Sequence, residues 1–340
     1  MTQRAIFDKK NILVTGGAGF IGSHLCDALV KKNKVICVDN FLTGSEENID
    51  HLLRHADFEF IRHNLTEPLT LESFRELEKF RVKFQGIQEI YHLACPTSPK
   101  DFNRVPIETL MANAYATRNV LELAVKYHAK VLHFSTSAVY GEPLDDHPIE
   151  EQYWGYVDPV GVRSAYTEGK RFAEAMMINY QRQRNVDAKI LRVFNTYGPR
   201  MRLNDGRMIP DFIVSVLENR PVEIYGTGEE KRSYCYVTDV VEAAMRMMES
   251  SEHGPFNVGA EEHVQSMDIA KKIMQIVGTT VETVLEKPPE AYAAKQSLPD
   301  IRLVKENLGW FPIVSLEEGL VRTVKDMQGR RVVGFGDVKV

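Results

Sequence analysis

A tyrosine and a lysine in the stretch SAYTEGKRFAEAM are well suited to acid–base chemistry. Tyr166 and Lys170 stand four positions apart in a segment of helical pattern, so both side chains should lie on one face. A tyrosine with a pKa of about 10 is a poor base at neutral pH, but a lysine ammonium beside it stabilises the phenolate. The pair could therefore take a proton from a substrate hydroxyl. The chain has 13 tyrosines, so such a pair also arises by chance and needs supporting context.

Hydroxyl side chains at the end of a strand-like run supply part of that context. The run KVLHFSTS ends in Thr136 and Ser137, and open α/β sheets bind ligands at the carboxyl ends of their strands. Either hydroxyl could hydrogen-bond the substrate oxygen that Tyr166 deprotonates. Ordinary turns also use Ser and Thr at strand ends, but the cofactor motif upstream favours the catalytic interpretation.

Glycines in LVTGGAGFIGSHL have the spacing of a dinucleotide-binding loop. Gly16 permits a tight turn, Gly19 lets the backbone approach a pyrophosphate, and Gly22 lets the next helix pack closely. Asp39 ends the following strand, where a carboxylate can bind ribose hydroxyls and would repel a 2′-phosphate. The motif predicts NAD rather than NADP, although Asp39 could equally be a turn residue. Further residues predicted to line the NAD site are Phe20, Ile21, Asn40, Leu93 and Ala94.

Alternating strands and helices must position these residues. From Asn11 to about Asp187, short apolar runs alternate with helical segments, the pattern of βαβ units. We predict an α/β fold with a doubly wound parallel sheet in an NAD-binding domain over residues 1–194. Residues 195–340 are predicted to form mainly a smaller substrate lobe, interleaved with the first domain. The predicted strands are NILVTG, KVICVDN, FEFI, EIYHLA, KVLHFSTS and AKILRVFN, and the predicted helices cover residues 19–32, 106–128 and 164–183, with an inserted amphipathic surface helix at 71–84.

The composition argues against several classes of partner. The net charge of −5 offers no basic surface for nucleic acid or an anionic membrane. No apolar run reaches the roughly 18 residues of a membrane span, and a strand-like segment already begins at Asn11. The cysteines lack the close spacing of a metal site and are expected to be free thiols. We expect a cytoplasmic protein without a metal. The four cysteines are Cys26, Cys37, Cys95 and Cys235.

The motifs together resemble the extended short-chain dehydrogenases/reductases that act on nucleotide sugars, and most closely the UDP-glucuronate decarboxylases. The similar stretches cover nearly the whole chain and include VTGGAGFIGSHL, VDNFLTG, YHLACPTSP, STSAVYG, AYTEGKRFAEAM and KRSYCYVTD. The glycine loop and the Tyr/Lys pair specify only the superfamily, whereas YWGYVDPVG and RVFNTYGPRMRLNDGR are more specific to the decarboxylases. The resemblance also implies a homodimer in which helices 106–128 and 164–183 pair with their copies, although one chain could cover the same faces.

The resemblance implies a mechanism as well. Tyr166 would take the proton of the sugar 4-hydroxyl while NAD accepts the C4 hydride. Lys170 would hold the nicotinamide ribose, and Thr136 or Ser137 would polarise O4. A C5 carboxylate is then β to a ketone, so carbon dioxide can leave, and protonation at C5 with return of the hydride gives UDP-xylose. Residues implied to contact the substrate are Asn195, Arg200, Arg232 and Arg302.

Four features depart from the family pattern, and two of them are the 71–84 insertion and Asn64, which replaces an aspartate commonly found near the adenine. Ala138 replaces a glutamate that is thought to assist the chemistry at C5, and Ser297 replaces an arginine that contacts the diphosphate. Oxidation at C4 needs no acid at position 138, so a 4-epimerase or a 4-dehydrogenase is the alternative function. A protein that binds NAD without catalysis is a remoter alternative. The branch-specific stretches place the decarboxylase first.

Overall fold

The computed structural model describes residues 9–143, 145, 147–203, 206–287 and 298–332. Its strands are β1 (Asn11–Thr15), β2 (Lys34–Asp39), β3 (Phe58–Arg62), β4 (Glu89–His92), β5 (Lys130–Thr136), β6 (Ala188–Val193), β7 (Thr196–Tyr197), β8 (Val222–Tyr225), β9 (Lys231–Arg232), β10 (Cys235–Tyr236), β11 (Phe256–Val258), β12 (Val264–Gln265) and β13 (Thr283–Glu286). Its α-helices are α1 (Phe20–Leu29), α2 (Val82–Gln85), α3 (Pro99–Arg104), α4 (Pro106–Met111), α5 (Thr117–Tyr127), α6 (Ser164–Arg184), α7 (Met208–Leu217), α8 (Val237–Glu249), α9 (Ser266–Val277), α10 (Arg302–Leu308) and α11 (Leu316–Val332).

A seven-stranded sheet in the order β11-β6-β5-β4-β1-β2-β3 forms the framework, and every neighbouring pair in it is parallel. All five residues of β1 are buried, as expected for a strand that is covered by helices on both faces. Hydrophobic clusters lie on the two sides of the sheet, one around Leu25 and Val240 and the other around Leu121 and Met177. The doubly wound α/β sheet and its first six strands are therefore confirmed.

The direction of winding reverses at β1, and this reversal positions the site. β1 pairs with β2 on one side and with β4 on the other, with Thr15 opposite both Val38 and His92. Ligands of doubly wound sheets bind in the crevice outside the carboxyl ends of the strands at such a reversal. The residues that follow β1, β2, β4 and β5 consequently meet at one edge.

Residues beyond 194 are divided between the large sheet and a separate hydrophobic cluster. β11 extends the large sheet by pairing with β6, with Phe256 opposite Leu191. The separate cluster includes Phe212 on α7, Ile224 on β8 and Ile269 on α9. β11 has three residues and was not recognised from the sequence, because so short a run has no detectable period.

The predicted helices are present, with one irregularity. α1 and α6 match the predictions over 19–32 and 164–183. The prediction over 106–128 corresponds to α4 and α5, joined by a π-helical segment at Ala112–Ala116. No helix in the described ranges is long and apolar enough to cross a bilayer.

The single amphipathic helix predicted over residues 71–84 was wrong. Two 3₁₀ segments, Leu71–Ser73 and Arg75–Phe80, precede the short helix α2. Arg81 has a φ of 53°, a left-handed conformation that interrupts helical continuation. Phe80 is buried, whereas Phe84 is 85% exposed, so the apolar positions do not share one buried stripe.

Candidate active site

A cavity of about 1090 Å³ lies at the carboxyl edge of the large sheet and extends to α7, β8 and β9. It is lined by all but one of the residues predicted to form the site. These are Gly16, Gly19, Phe20, Ile21, Gly22, Asp39, Asn40, Leu93, Ala94, Thr136, Ser137, Tyr166, Lys170, Asn195, Arg200 and Arg232. The structure thus brings the predicted cofactor loop, acid–base residues and substrate contacts into one cavity.

The glycine loop between β1 and α1 leaves little room for side chains. Gly16 has a φ of 72°, and a Cβ there would lie 2.8 Å from the backbone nitrogen of Ala94. A Cβ at Gly22 would lie 2.2 Å from the carbonyl oxygen of Gly16. α1 begins directly after Gly19 and has no acidic residue in its first turn. Bare backbone at the N-terminus of a helix suits a pyrophosphate, so the loop fits a dinucleotide.

Asp39 serves the fold and remains suited to a ribose. Its carboxylate accepts hydrogen bonds from the backbone N–H of Ala18 at 3.1 Å and of Phe41 at 2.8 Å. Burial raises the pKa of the carboxyl, while these backbone bonds lower it. A carboxylate has about four acceptor sites, so the turn role and a ribose role are compatible.

Tyr166 lies in the first turn of α6 and lines the cavity together with Thr136. Its ring stacks on Phe102, with the centroids 5.0 Å apart and the planes 5° from parallel. The pKa of Tyr166 is raised to about 12, first by burial and second by the Cys95 thiol. Thr136 and the charges of Arg207 and Arg163 act against this rise in pKa. At neutral pH, Tyr166 is therefore an uncharged phenol that stacks on Phe102, and the charges of the two arginines favour its ionisation.

Lys170 is buried one turn after Tyr166. Its Nζ donates a hydrogen bond of 2.7 Å to the carbonyl oxygen of Phe134 on β5, and burial lowers its pKa. From the sequence, Lys170 was expected to favour the phenolate. The hydrogen bond to Phe134 joins α6 to β5, and the expected effect of Lys170 on the phenolate stays a prediction.

A buried ion pair that the sequence did not reveal holds the Ser137–Tyr140 turn against α6. Arg192 Nη2 lies 2.7 Å from Glu174 Oε2, and Ser135 Oγ donates to Glu174 Oε1 at 2.5 Å. Arg192 Nη1 also donates to the Tyr140 hydroxyl at 3.0 Å. The residue two positions before the turn and the last residue of the turn are thus tied to one pair. The sequence signal that could have indicated this ion pair was Glu174, which is four positions after Lys170 and hence on the same helix face.

Three of the four residues predicted to contact the substrate line the cavity. Arg232 lines the cavity, and its Nε donates to Ser266 Oγ at 3.3 Å. Asn195 Nδ2 donates to the carbonyl of Ser233 at 3.1 Å, and Arg200 Nη2 pairs with Asp27 at 2.7 Å. Each also lines the cavity.

Arg302 is the predicted contact that the structure does not bring into the cavity. Its side chain is exposed and pairs with Asp300 at 2.8 Å and with Glu150 at 2.6 Å. Ser297 lies outside the described residues. Cavity arginines that sequence reasoning missed are Arg163, Arg202, Arg207 and Arg220.

The doubly wound sheet, the glycine loop and the Tyr/Lys pair define an extended short-chain dehydrogenase/reductase. The chain belongs to the NAD dependent epimerase/dehydratase family, whose model matches residues 12–259. UDP-glucuronic acid decarboxylase 6 of Arabidopsis thaliana is 44% identical over 322 residues, which are 94% of this chain and 89% of the relative. UDP-glucuronic acid decarboxylase 1 of Xenopus tropicalis is 42% identical over 93% of this chain and 72% of the relative.

Solved structures with the same fold include nucleotide-sugar epimerases. UDP-glucose 4-epimerase of Thermotoga maritima with UDP-glucose has a TM-score of 0.83 and 31% identity, covering 94% of this chain and 99% of that chain. UDP-glucuronic acid 4-epimerase of Bacillus cereus, in complex with UDP-glucuronic acid and NAD, has a TM-score of 0.81 and 28% identity, with the same coverage.

Proposed function

We propose that the protein is an NAD-dependent UDP-glucuronate decarboxylase that forms UDP-xylose. The observation that carries the proposal is that Tyr166, Thr136 and the glycine loop line the same cavity. This arrangement can deprotonate a hydroxyl beside a dinucleotide. The decarboxylase relatives, which are similar over most of the chain, supply the substrate.

The proposed binding sites divide the cavity. NAD would be held by the backbone around Gly16, Gly19 and Gly22, with Asp39 on the adenosine ribose. The sugar would lie at Tyr166. Residues 195–340 would supply most of the nucleotide-sugar contacts, since α7, β8 and β9 form the far wall. Side chains proposed to contact the substrate there are Asn195, Arg200 and Arg232.

Tyr166 and Thr136 would carry out the proton transfer at O4. Tyr166 takes the proton of the 4-hydroxyl, and Thr136 holds the same oxygen in place. When bound, NAD supplies the acceptor for the C4 hydride and returns the hydride at the end. The C5 carboxylate is then β to a ketone, so the C5–C6 bond breaks, carbon dioxide leaves and its electron pair forms an enolate. A proton added at C5 and one returned to O4 by Tyr166 complete UDP-xylose.

Ala138 favours a second candidate, a uronate 4-epimerase. Its methyl group lines the cavity where the decarboxylases usually have a glutamate, and a 4-epimerase needs no acid for C5. The similar solved structure of an epimerase in complex with UDP-glucuronic acid also fits this candidate. Both functions share the step that Tyr166 performs.

Proton NMR of the protein with NAD and UDP-glucuronate tests the proposal. We expect UDP-xylose to accumulate, whereas UDP-galacturonate would identify the epimerase. Tyr166→Phe keeps the stacked ring but removes the phenol, so turnover should fall about 100-fold or more. Full turnover by this variant, or no conversion by NAD-loaded wild type, would refute the assignment. NAD binding by the variant is the control for folding.

We also propose a homodimer and a cytoplasmic location. Tyr115 is 50% exposed and Phe172 is 52% exposed, on two helical segments that run side by side. Burial of such aromatic side chains commonly drives association. All four cysteines are free, which fits a reducing compartment.

A further inference from the structure

Two arginines line the cavity together with Tyr166, one from each part of the chain. Arg163 is the residue before α6, and its carbonyl oxygen accepts the backbone N–H of Tyr166 at 3.0 Å. Arg207 precedes α7, and its Nη2 donates to Thr97 Oγ1 at 2.7 Å. Both side chains line the cavity, and both charges act on the phenol. The sugar end of the cavity is therefore positively charged.

Arg163 is poorly compensated by the segments around it. Its Nε is buried and has no hydrogen-bond partner among the described residues. The STSAVYG stretch contains no acid, and the first turn of the 21-residue helix α6 contains none. Glu142 attracts the guanidinium, but this glutamate is exposed to solvent. A half-buried guanidinium with so little compensation would be stabilised by an anionic ligand.

We propose that Arg163 recognises the carboxylate of a uronic acid sugar. The inference rests on the proposed function, in which Tyr166 acts on O4. The carboxylate is attached to C5, the carbon next to C4, so a sugar whose O4 lies at Tyr166 would present it within the cavity that Arg163 also lines. A neutral hexose has a hydroxymethyl group at this position and cannot form the ion pair.

Arg163 is a specificity residue in this proposal. Pairing with a guanidinium stabilises the carboxylate of the bound substrate, so it strengthens binding without helping the C5–C6 bond to break. Electron withdrawal by the C4 ketone drives that step. Loss of Arg163 should consequently raise KM for UDP-glucuronate more than it lowers kcat.

Binding measurements on the NAD-loaded protein test the proposal, with UDP, UDP-glucose and UDP-glucuronate as titrants. Arg163→Gln should weaken UDP-glucuronate about tenfold or more, the effect of losing a charged hydrogen bond. Its affinity for UDP and UDP-glucose should stay within about twofold, because neither has the carboxylate. Arg163→Lys keeps the charge but loses the planar fork, and should recover part of the affinity. Arg232→Gln is the matched control and should weaken all three ligands alike.

Several results would overturn the proposal. Equal weakening of both sugars by Arg163→Gln would make the residue structural, and selective weakening by Arg207→Gln instead would move the carboxylate site. Wild-type protein that does not distinguish UDP-glucuronate from UDP-glucose would also refute it, even if both bind. Failure of the proposed function has a different signature, since selective binding without turnover would preserve the carboxylate site and remove the reaction. NAD affinity and thermal unfolding of each variant verify its fold.

Discussion

At Tyr166, arginine charges oppose the effect of burial on the pKa of the phenol. Burial raises the pKa of Tyr166 to about 12, and the charges of Arg207 and Arg163 act in the opposite direction. The same arginines make the sugar end of the cavity attractive to a carboxylate. At position 138, which lines the same cavity, the chain has a methyl group where an acid would reduce the positive charge.

Introducing an acid at position 138 should increase decarboxylation. We expect Ala138→Glu to raise kcat for UDP-xylose formation about tenfold or more, because a positioned acid can assist proton transfer at C5. KM for UDP-glucuronate should also rise, since the new carboxylate competes for Arg163. Steady-state assays of UDP-xylose formation measure both constants. Ala138→Gln has nearly the same size without the acid, so an equal gain in this variant would contradict the explanation.

The sequence predicted individual chemical groups better than their environments. The types and spacing of Tyr166, Lys170 and the glycines are local features, and each motif residue of this kind lines the cavity. The presence of Arg207 in the same cavity depends on where α7 is placed relative to α6, which no local pattern encodes. Arg302 was implied by resemblance alone, and its pairing with Asp300 and Glu150 depends on tertiary structure that the sequence does not display.

At the scale of elements, the site depends on the junction between β5 and α6. Lys170 and Glu174 on α6 both contact β5, through the carbonyl of Phe134 and the hydroxyl of Ser135. β5 was predictable because its apolar run is buried on both faces. The structure of the 71–84 insertion was not predictable, because its sequence has a helical period that the left-handed Arg81 interrupts.

A buried histidine on β5 should make the fold sensitive to acid. His133 has no hydrogen-bond partner for either ring nitrogen among the described residues. Burial lowers the pKa of His133, and burial also lowers the pKa of the neighbouring His92 to about 3. The folded-state pKa values lie below that of an unfolded histidine, about 6.5. As pH falls below that value, the unfolded chain binds protons that the folded chain cannot, so stability decreases by up to about 1.4 kcal/mol per pH unit for each histidine.

Replacing His133 by leucine should reduce this sensitivity. We expect His133→Leu to raise the free energy of unfolding at pH 7.5 by about 1 kcal/mol or more, because unpaired buried nitrogens are costly. The decrease between pH 6.5 and 5.5 should be roughly halved, since His92 still contributes. Urea unfolding at these pH values gives both quantities. His147→Leu, at an exposed position, is the control, and an unchanged acid response in His133→Leu would contradict the prediction.

At the scale of the whole molecule, polar contacts connect the two walls of the cavity. Arg202 Nη1 donates to both carboxylate oxygens of Asp101, at 3.0 and 2.9 Å, and Arg207 donates to Thr97. Both arginines come from the segment before α7, and both acceptors come from the segment after β4. The wall that contains Phe102, the stacking partner of Tyr166, is thereby fixed to the substrate side.

The outer face of α6 provides the test of association. Asn113 packs against Gly169, and Glu122 accepts a hydrogen bond from Tyr180, so the helical segment over 106–127 runs parallel to α6. Tyr115 and Phe172 lie between these contacts and are both about half exposed. Phe172→Glu would place an unpaired charge in the proposed dimer contact, so light scattering should give the 38.7 kDa chain mass, while wild type gives twice that mass. Phe311→Glu makes the same change at a side chain that is 58% exposed elsewhere, and it should remain dimeric. A wild-type monomer, or an unaffected Phe172→Glu dimer, would remove this face from the assembly.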